Sequence, residues 1–419
     1  MAATKRTRSL QGSIRLVLLG ATVIFLAVLG VATLQVKLER LVVDHGPTAA
    51  IDIRYLYHTT RSWFGGEPIY KQTGGVSYPP ASFAILWPAY GLLTFDHARV
   101  LWAAADLAAF AALGAMFWRA VRAAGPLAQL CAALAPISMP ALADALGIGQ
   151  LTIVVLPLAV GAVLLASRHE TVWTRDVIAA TMFIGALVKP SITAPFFVTF
   201  LIVPGRLRPA AITVAGYVLL TLLASLFQPD SLASQLRSWL DPALGHSEVG
   251  YANIQAWLAH LDWERAFAPV ALFLLAGLAV VTWRYRGTDV WFLLGSAAIV
   301  ARLWTYHRVY DDGLMIVPLV ATARLAADSR AAPWLKAWAA VTVMLSAIVL
   351  WIPIHFHYVG STLGPLEIRP SWASLFTATH VAVFIHFLIV LMAGAITIRD
   401  QHPRAARRVV LSSAHSANI

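Results

Sequence analysis

Apolar runs of helix length, separated by short polar connections, extend along almost the whole chain. About thirteen such runs can be drawn, and a straight membrane-crossing helix needs roughly 20 apolar residues. Their approximate bounds are 14–36, 79–94, 98–118, 126–145, 148–166, 176–188, 190–203, 209–228, 265–283, 288–303, 313–327, 334–353 and 375–397. The pattern predicts an all-α polytopic membrane protein with about 12–13 transmembrane or re-entrant helices. These form a single membrane domain over 1–419, with its membrane body at 14–397.

Basic residues are concentrated at the two ends of the chain and in short connections between apolar runs. Lys and Arg number 31 against 20 Asp and Glu, which gives a net charge of +11. Positive charge in short loops marks the cytoplasmic side of a membrane protein, so both termini, including a tail at 398–419, are predicted to be cytoplasmic. Only 12% of residues are charged, against roughly 25% in soluble domains. This distribution indicates surrounding membrane lipids and no nucleic-acid partner.

Termini on the same side require an even number of crossings. Because thirteen apolar runs were drawn, one of them is predicted not to cross. The run 79–94 is short, follows Tyr78 with two prolines and carries Pro88, which favours a re-entrant helix. Such an element is tolerated where it lines a cavity. The run 190–203 is also short and begins with Pro190, and it remains the other candidate.

Three longer connections are predicted to lie on the outer side, at 37–78, 229–264 and 354–374. Each mixes aromatic with polar residues, a composition typical of amphipathic helices at a membrane surface. The first is densely polar, although ionisable groups near hydrocarbon are costly unless they are paired or hydrated. A functional site is therefore expected in this loop.

Asp52 is the first candidate for chemistry in that loop. A carboxylate at the membrane edge can act as a general base that deprotonates an acceptor hydroxyl. Arg54, Tyr55 and His58 follow closely and are predicted to line the same site. Alternatively, Asp52 caps an interfacial helix or pairs with Arg54 or Arg61. Asp44, nearer the first apolar run, is a rival base.

Two further groups are suited to an anionic ligand. Lys189 lies within uninterrupted apolar sequence, where an ammonium must reach the interface, pair, or meet an anion such as a lipid-linked phosphate. In the turn 302–312, His307 and Arg308 can donate hydrogen bonds to phosphate oxygens, and the neighbouring aromatic side chains can hold a sugar. The alternative there is an aromatic belt with Arg308 paired to Asp311 or Asp312. Gln150, after two glycines, is a candidate hydrogen-bond donor to a ligand.

Several other site types are excluded by the sequence. No GxxxxGK[ST] or GxGxxG loop is present, so a nucleotide-binding domain of those kinds is not predicted. The histidines are scattered, and the single cysteine cannot form an intramolecular disulfide or a thiolate cluster. We therefore expect no metal and no cofactor, and a lipid-borne substrate.

Several short motifs occur in one order along the chain, over roughly residues 14–330. They are Asp52-Ile53-Arg54-Tyr55, Gly65-Gly66-Glu67-Pro68-Ile69-Tyr70, Ser77-Tyr78-Pro79-Pro80, Gly149-Gln150, Lys189-Pro190 and the turn 304–307. This order resembles the glycosyltransferase 87 family, which are GT-C-fold membrane enzymes. One departure from the family pattern is Arg54, where a less charged residue is commoner, and its charge is expected to lower the basicity of Asp52.

The resemblance implies an inverting transfer of mannose or an arabinofuranose-like sugar from a polyprenyl-phosphate donor. The acceptor is a glycolipid or cell-envelope glycan at the outer face of the cytoplasmic membrane. By the same resemblance, Asp52 is the general base, while His307, with Arg308 and Lys189, binds the donor phosphate and Tyr78 lines the site. A secondary transporter or lipid flippase is the alternative, although such proteins usually show repeat symmetry and mid-span ionisable groups.

Overall fold

The computed structural model describes residues 2–71, 76–168, 170, 172–245, 254–305, 307–351, 382–383 and 385–397. Within these ranges the chain is helical with short connections, and no β-strand occurs. The predicted all-α polytopic fold class is therefore confirmed. The third outer connection at 354–374 and the tail at 398–419 lie outside the described residues.

In the described part of the chain, every apolar run drawn from the sequence overlaps at least one α-helix. The helices are α1 Ala2–Leu38, α2 Ile51–Phe64, α3 Pro80–Tyr90, α4 Phe95–Ala120, α5 Pro126–Ser138, α6 Pro140–Ile148, α7 Thr152–Ala166, α8 Trp173–Ala186, α9 Pro190–Ile202, α10 Arg208–Ser225, α11 Leu232–Gly245, α12 Ile254–His260, α13 Phe267–Tyr285, α14 Val290–Leu303, α15 Ile316–Ala327, α16 Pro333–Trp351 and α17 Ile385–Thr397.

Six helical segments in the described part of the chain are long and apolar enough to cross a membrane. They are Leu16–Val43, Phe95–Ala120, Pro126–Ile148, Arg208–Ser225, Glu264–Tyr285 and Pro333–Trp351. Both candidates for the non-crossing run are shorter helices. α3 has 11 residues and α9 has 13, against roughly 20 needed for a straight span.

The centre of the bundle is formed by α7 and α14. Every residue from Trp291 to Arg302 of α14 is buried, as is most of α7. Both helices pack against α9, and α7 also packs against α4 and α8. Helices that are apolar on all sides are typical of such interior positions. By contrast, α1 exposes Val17, Ile24 and Val28, which forms an apolar surface suited to lipid.

Breaks between helices place polar residues near one another. α6 ends at Ile148 and is followed by Gly149, whose φ of 74° lies in the left-handed region; Gln150 comes next, before α7 begins. Lys189 directly precedes α9, which starts at Pro190. Tyr78 comes shortly before α3, which starts at Pro80. Proline is favoured at the first helical position because the backbone N–H it lacks has no partner there.

The first predicted outer connection, 37–78, contains the amphipathic helix α2. Ile53, Leu56 and Trp63 bury one of its faces in the protein. The second, 229–264, contains α11 and α12. α2 packs chiefly against α3, with smaller contacts to α4 and α6. This packing holds Asp52, in the first turn of α2, against the helix bundle.

Candidate active site

A cavity of about 190 Å³ lies where the start of α2 meets the helix breaks before α3, α7 and α9. The segment between α14 and α15 closes its remaining side. Seven of the nine site residues predicted from the sequence line this cavity. They are Asp52, Tyr55, Tyr78, Gln150, Lys189, His307 and Arg308. The cavity therefore brings together residues that are far apart in the sequence.

The other two predicted residues, Arg54 and His58, lie on a different face of α2. The Arg54 guanidinium donates to the Gly46 carbonyl at 3.4 Å and sits 5.7 Å from the Phe95 ring. His58 is exposed and stacks on the same ring. Residues 52, 55 and 56 share one side of a helix, whereas 54 and 58 share another. These two side chains therefore do not line the cavity.

Neither of the arginine pairings considered for Asp52 is present. Arg61 donates to the backbone carbonyls of Tyr90, Gly91 and Leu93. Arg54 donates to the Gly46 carbonyl and not to Asp52. The partner of Asp52 is Gln150, whose Nε2 donates to Oδ2 at 2.8 Å. Asp52 is thus held by an uncharged donor rather than by a neighbouring arginine.

Gln150 connects Asp52 to Lys189. Its Oε1 accepts from the backbone N–H of Leu151 at 2.9 Å and from Lys189 Nζ at 3.1 Å. Because Oε1 receives two donors, the amide NH₂ must face the Asp52 carboxylate. One amide therefore contacts both the predicted base and the predicted cation.

Lys189 points into the protein and does not extend to the interface. Its side chain is 10% exposed. Besides Gln150, Nζ donates to Thr152 Oγ1 at 3.2 Å and to Asp311 Oδ1 at 3.1 Å. An ammonium has three N–H donors, and all three have protein acceptors. The charge of Lys189 is consequently fixed at the cavity wall.

Asp311 is a central residue of the cavity, although its position in the sequence suggests only a partner for Arg308. Oδ1 accepts from Lys189 and from Thr152 Oγ1, the latter at 2.6 Å, and Oδ2 lies 2.9 Å from His307 Nδ1. Burial alone would raise the pKa of Asp311. Lys189 and the hydrogen bonds from His307 and Thr152 outweigh burial and hold that pKa well below its usual range. The side chain is therefore ionised.

The ionised Asp311 carboxylate determines which ring nitrogen of His307 carries the proton. A carboxylate only accepts hydrogen bonds, so the proton of the contact lies on Nδ1. Burial lowers the pKa of His307, while Asp311 acts in the opposite direction. At neutral pH, His307 is a neutral imidazole oriented by its neighbour four residues along the chain.

Asp52 has the electrostatic properties of a base that works near neutral pH. Burial raises its pKa to about 6; Lys189 and Arg308 oppose this rise and Asp311 adds to it. A carboxylate with this pKa is mostly ionised at pH 7 and accepts protons more readily than an ordinary aspartate. Strongly perturbed acids in clefts are typical of functional sites.

Further contacts hold the segments around the cavity in place. Arg302 Nε donates to Asp312 Oδ1 at 2.6 Å, with both side chains buried. Trp304 Nε1 donates to the Ser191 carbonyl at 2.6 Å. The Tyr70 hydroxyl donates to the Tyr78 carbonyl, also at 2.6 Å. These bonds anchor both ends of the His307-containing turn and the approach to α3.

Comparison with known proteins gives one family match. The sequence model of glycosyltransferase family 87 matches residues 77–306, which is more than half of the chain. The matched part includes Tyr78, Gln150 and Lys189, whereas Asp52 lies before it and His307 directly after it. No match was found among curated proteins.

Proposed function

The chain belongs to glycosyltransferase family 87, and we propose that it transfers a monosaccharide from a polyprenyl-phosphate donor. The acceptor in this proposal is a hydroxyl of a glycolipid or cell-envelope glycan. The sugar is mannose or arabinofuranose-like, and the anomeric configuration inverts. The observation that carries the proposal is the single cavity in which an acid of raised pKa faces Lys189, His307 and Arg308.

The proposed reaction is a single displacement at the anomeric carbon. Asp52 takes the proton of the acceptor hydroxyl as its oxygen forms a bond to that carbon. The bond from the carbon to the phosphate oxygen breaks, and polyprenyl phosphate leaves with the electron pair. Because attack and departure occur on opposite faces of the sugar, the configuration inverts. No covalent intermediate with the enzyme is formed.

Positive charge near the leaving phosphate supports this reaction. Arg308 lines the cavity and suits bidentate binding of phosphate oxygens. Lys189 already has three protein acceptors and is paired with the Asp311 carboxylate, so its proposed contribution is the positive charge that Asp311 leaves uncompensated at the cavity wall. Both groups stabilise the charge that grows as polyprenyl phosphate departs. Lys189 is therefore proposed to act on the phosphate without exchanging its hydrogen bonds.

His307 is proposed as a donor that responds to the phosphate. A nearby phosphate anion favours the protonated imidazolium, and Asp311 stabilises the same form from the Nδ1 side. Protonation would give His307 a second N–H for a phosphate oxygen. The resting neutral state is therefore compatible with a role in donor binding.

The outer face of the cytoplasmic membrane is the proposed location of the reaction. α7 begins with Thr152, which contacts Asp311 and Lys189, and ends next to Arg168. Arginine-bearing connections favour the cytoplasmic side, which supports an outer position for the cavity. A lipid-borne donor also agrees with the lack of the GxxxxGK[ST] and GxGxxG motifs in the sequence.

The proposal is tested with purified protein in lipid vesicles supplied with a polyprenyl-phosphate sugar and a membrane extract as the acceptor source. Mass spectrometry of the lipids should show an acceptor heavier by one sugar, together with free polyprenyl phosphate. An Arg308→Gln variant should lose most of this product. Movement of the donor across the bilayer without a new glycosidic bond would favour the transporter or flippase alternative and contradict the proposal.

A further inference from the structure

A second and larger cavity, of about 770 Å³, opens at the other end of the bundle. It lies between the C-terminal ends of α4, α7 and α15 and the start of α14. α7 has 15 residues, and at 1.5 Å per residue its ends are about 20 Å apart. One end of α7 contacts the candidate active site and the other borders this second cavity. The two cavities are therefore separate.

Five arginines line the second cavity: Arg119, Arg122, Arg168, Arg324 and Arg330. The carboxylates in the lining are Asp289 and Asp328. Five positive and two negative side chains leave a net charge of +3. The cavity is consequently a concave, strongly basic site.

The two carboxylates are each engaged by one arginine. Arg324 pairs with Asp289, and Arg330 pairs with Asp328 at 2.8 Å. Among the described residues, Arg119, Arg122 and Arg168 form no ion pair, and the buried Nε of Arg324 has no hydrogen-bond acceptor. The cavity thus keeps uncompensated positive charge, which is suited to an anionic ligand.

The inner wall of the same cavity is apolar. Met116, Leu164, Leu165, Trp291 and Phe292 form it, and the two aromatic residues are buried. A site with basic residues at one side and apolar residues behind them suits an anion attached to an apolar group. Basic pockets between membrane helices on the cytoplasmic side are typical binding sites for anionic headgroups.

We propose that this cavity binds a phosphoryl anion, supplied either by the headgroup of an anionic phospholipid or by a soluble phosphate compound. Arginine is suited to this ligand because its planar guanidinium meets phosphate oxygens with two parallel hydrogen bonds. The preference for positive charge in cytoplasmic loops does not require arginines to converge on a cavity. Arg284 and Arg286, which are exposed at the end of α13, illustrate loop arginines outside it.

Binding can be measured without any transfer assay, so its result is independent of the proposed function. The test variant is Arg119→Gln/Arg122→Gln. The matched control is Arg284→Gln/Arg286→Gln, which removes the same charge elsewhere. Each purified protein in neutral detergent is titrated with phosphatidylglycerol and phosphatidylcholine, followed by native mass spectrometry. In parallel, inorganic pyrophosphate is added and the shift in melting temperature is recorded.

The wild type and the control should bind phosphatidylglycerol more tightly than phosphatidylcholine. The Arg119→Gln/Arg122→Gln variant should bind it roughly tenfold more weakly or worse. Selective lipid binding assigns the headgroup as the ligand. A pyrophosphate-induced shift that this variant alone loses assigns a soluble phosphate compound. The proposal is overturned if neither probe binds the wild type, or if both double variants lose binding equally.

Discussion

Gln150 donates a hydrogen bond to Asp52 over 2.8 Å, although 98 positions separate them in the chain. The contact joins the start of α2 to the break before α7. The other end of the same amide accepts from Lys189. The acid and the cation of the proposed reaction are therefore oriented by one uncharged side chain, which makes Gln150 a positioning residue in the proposed mechanism.

Replacing Gln150 should change the pH dependence of transfer as well as its rate. In Gln150→Leu, Asp52 loses a hydrogen bond that favours its charged form, so its pKa rises. The acid limb of the kcat/KM profile should move to higher pH, with a fall of roughly tenfold at neutral pH. Gln129→Leu, on α5 outside the cavity, is the control. An unchanged acid limb in Gln150→Leu would contradict the positioning role.

The wild-type enzyme should itself lose activity in mild acid. Burial raises the pKa of Asp52 to about 6, and a general base works only when it is deprotonated. Below that pH the protonated fraction grows, so kcat/KM should fall about tenfold per pH unit, and above it the base stays ionised. Initial rates from pH 4.5 to 8 provide the test. A profile that stays flat down to pH 4.5 would be inconsistent with a buried Asp52 base.

Lys189 and Asp311 should depend on one another for stability. Removing one partner of a buried ion pair typically costs about 3–5 kcal/mol because the other charge remains buried. Lys189→Met should therefore lower the melting temperature markedly, with His307 and Thr152 still partly compensating Asp311. Adding Asp311→Asn should recover much of the loss without recovering transfer. Equal melting temperatures for Lys189→Met and the wild type would refute this coupling.

Most of the fold could be predicted from the sequence because apolar runs and proline breaks are local signals. The runs coincide with helices, and Tyr78, Gln150 and Lys189 lie at breaks that prolines or a glycine mark in the sequence. Which helices are long enough to cross was less predictable. The shortness of α3 and α9 is visible in the sequence, whereas the division of the run 126–145 into α5 and α6 near Pro140 was not predicted.

Seven of the nine predicted site residues line one cavity, and the structure differs from the sequence-based expectation in two ways. Arg54 and His58 are near Asp52 in the sequence, but their side chains do not line the cavity. Helical periodicity, a signal present in the sequence, places them on another face of α2. Asp311 was not predicted as a site residue because its role depends on Thr152, which lies 159 positions away. No local pattern reveals a contact of that range.

Gly149 should be essential for the geometry around Asp52. A Cβ at this position would lie 2.3 Å from the Ile53 side chain, next to Asp52, and the φ of 74° disfavours other residues. Gly149→Ala should therefore lower both transfer and melting temperature. Gly205→Ala is a matched control, since its φ is 66° but a Cβ there meets nothing within 4 Å. Backbone strain alone should lower stability by about 1 kcal/mol in both. If the two variants retain equal transfer activity, the contact with Ile53 is not important.

The most direct test of the central claim compares Asp52→Asn with Asp44→Asn in the sugar-transfer assay. Asn has the shape of Asp and can still accept a hydrogen bond from Gln150, so the fold should be retained. Loss of the base should reduce kcat by about 10²–10⁴-fold. Asp44 is exposed and its carboxylate accepts from the Gly46 backbone N–H, so Asp44→Asn should transfer sugar at close to the wild-type rate. A normal rate in Asp52→Asn, or a loss confined to Asp44→Asn, would contradict the assignment of Asp52 as the base.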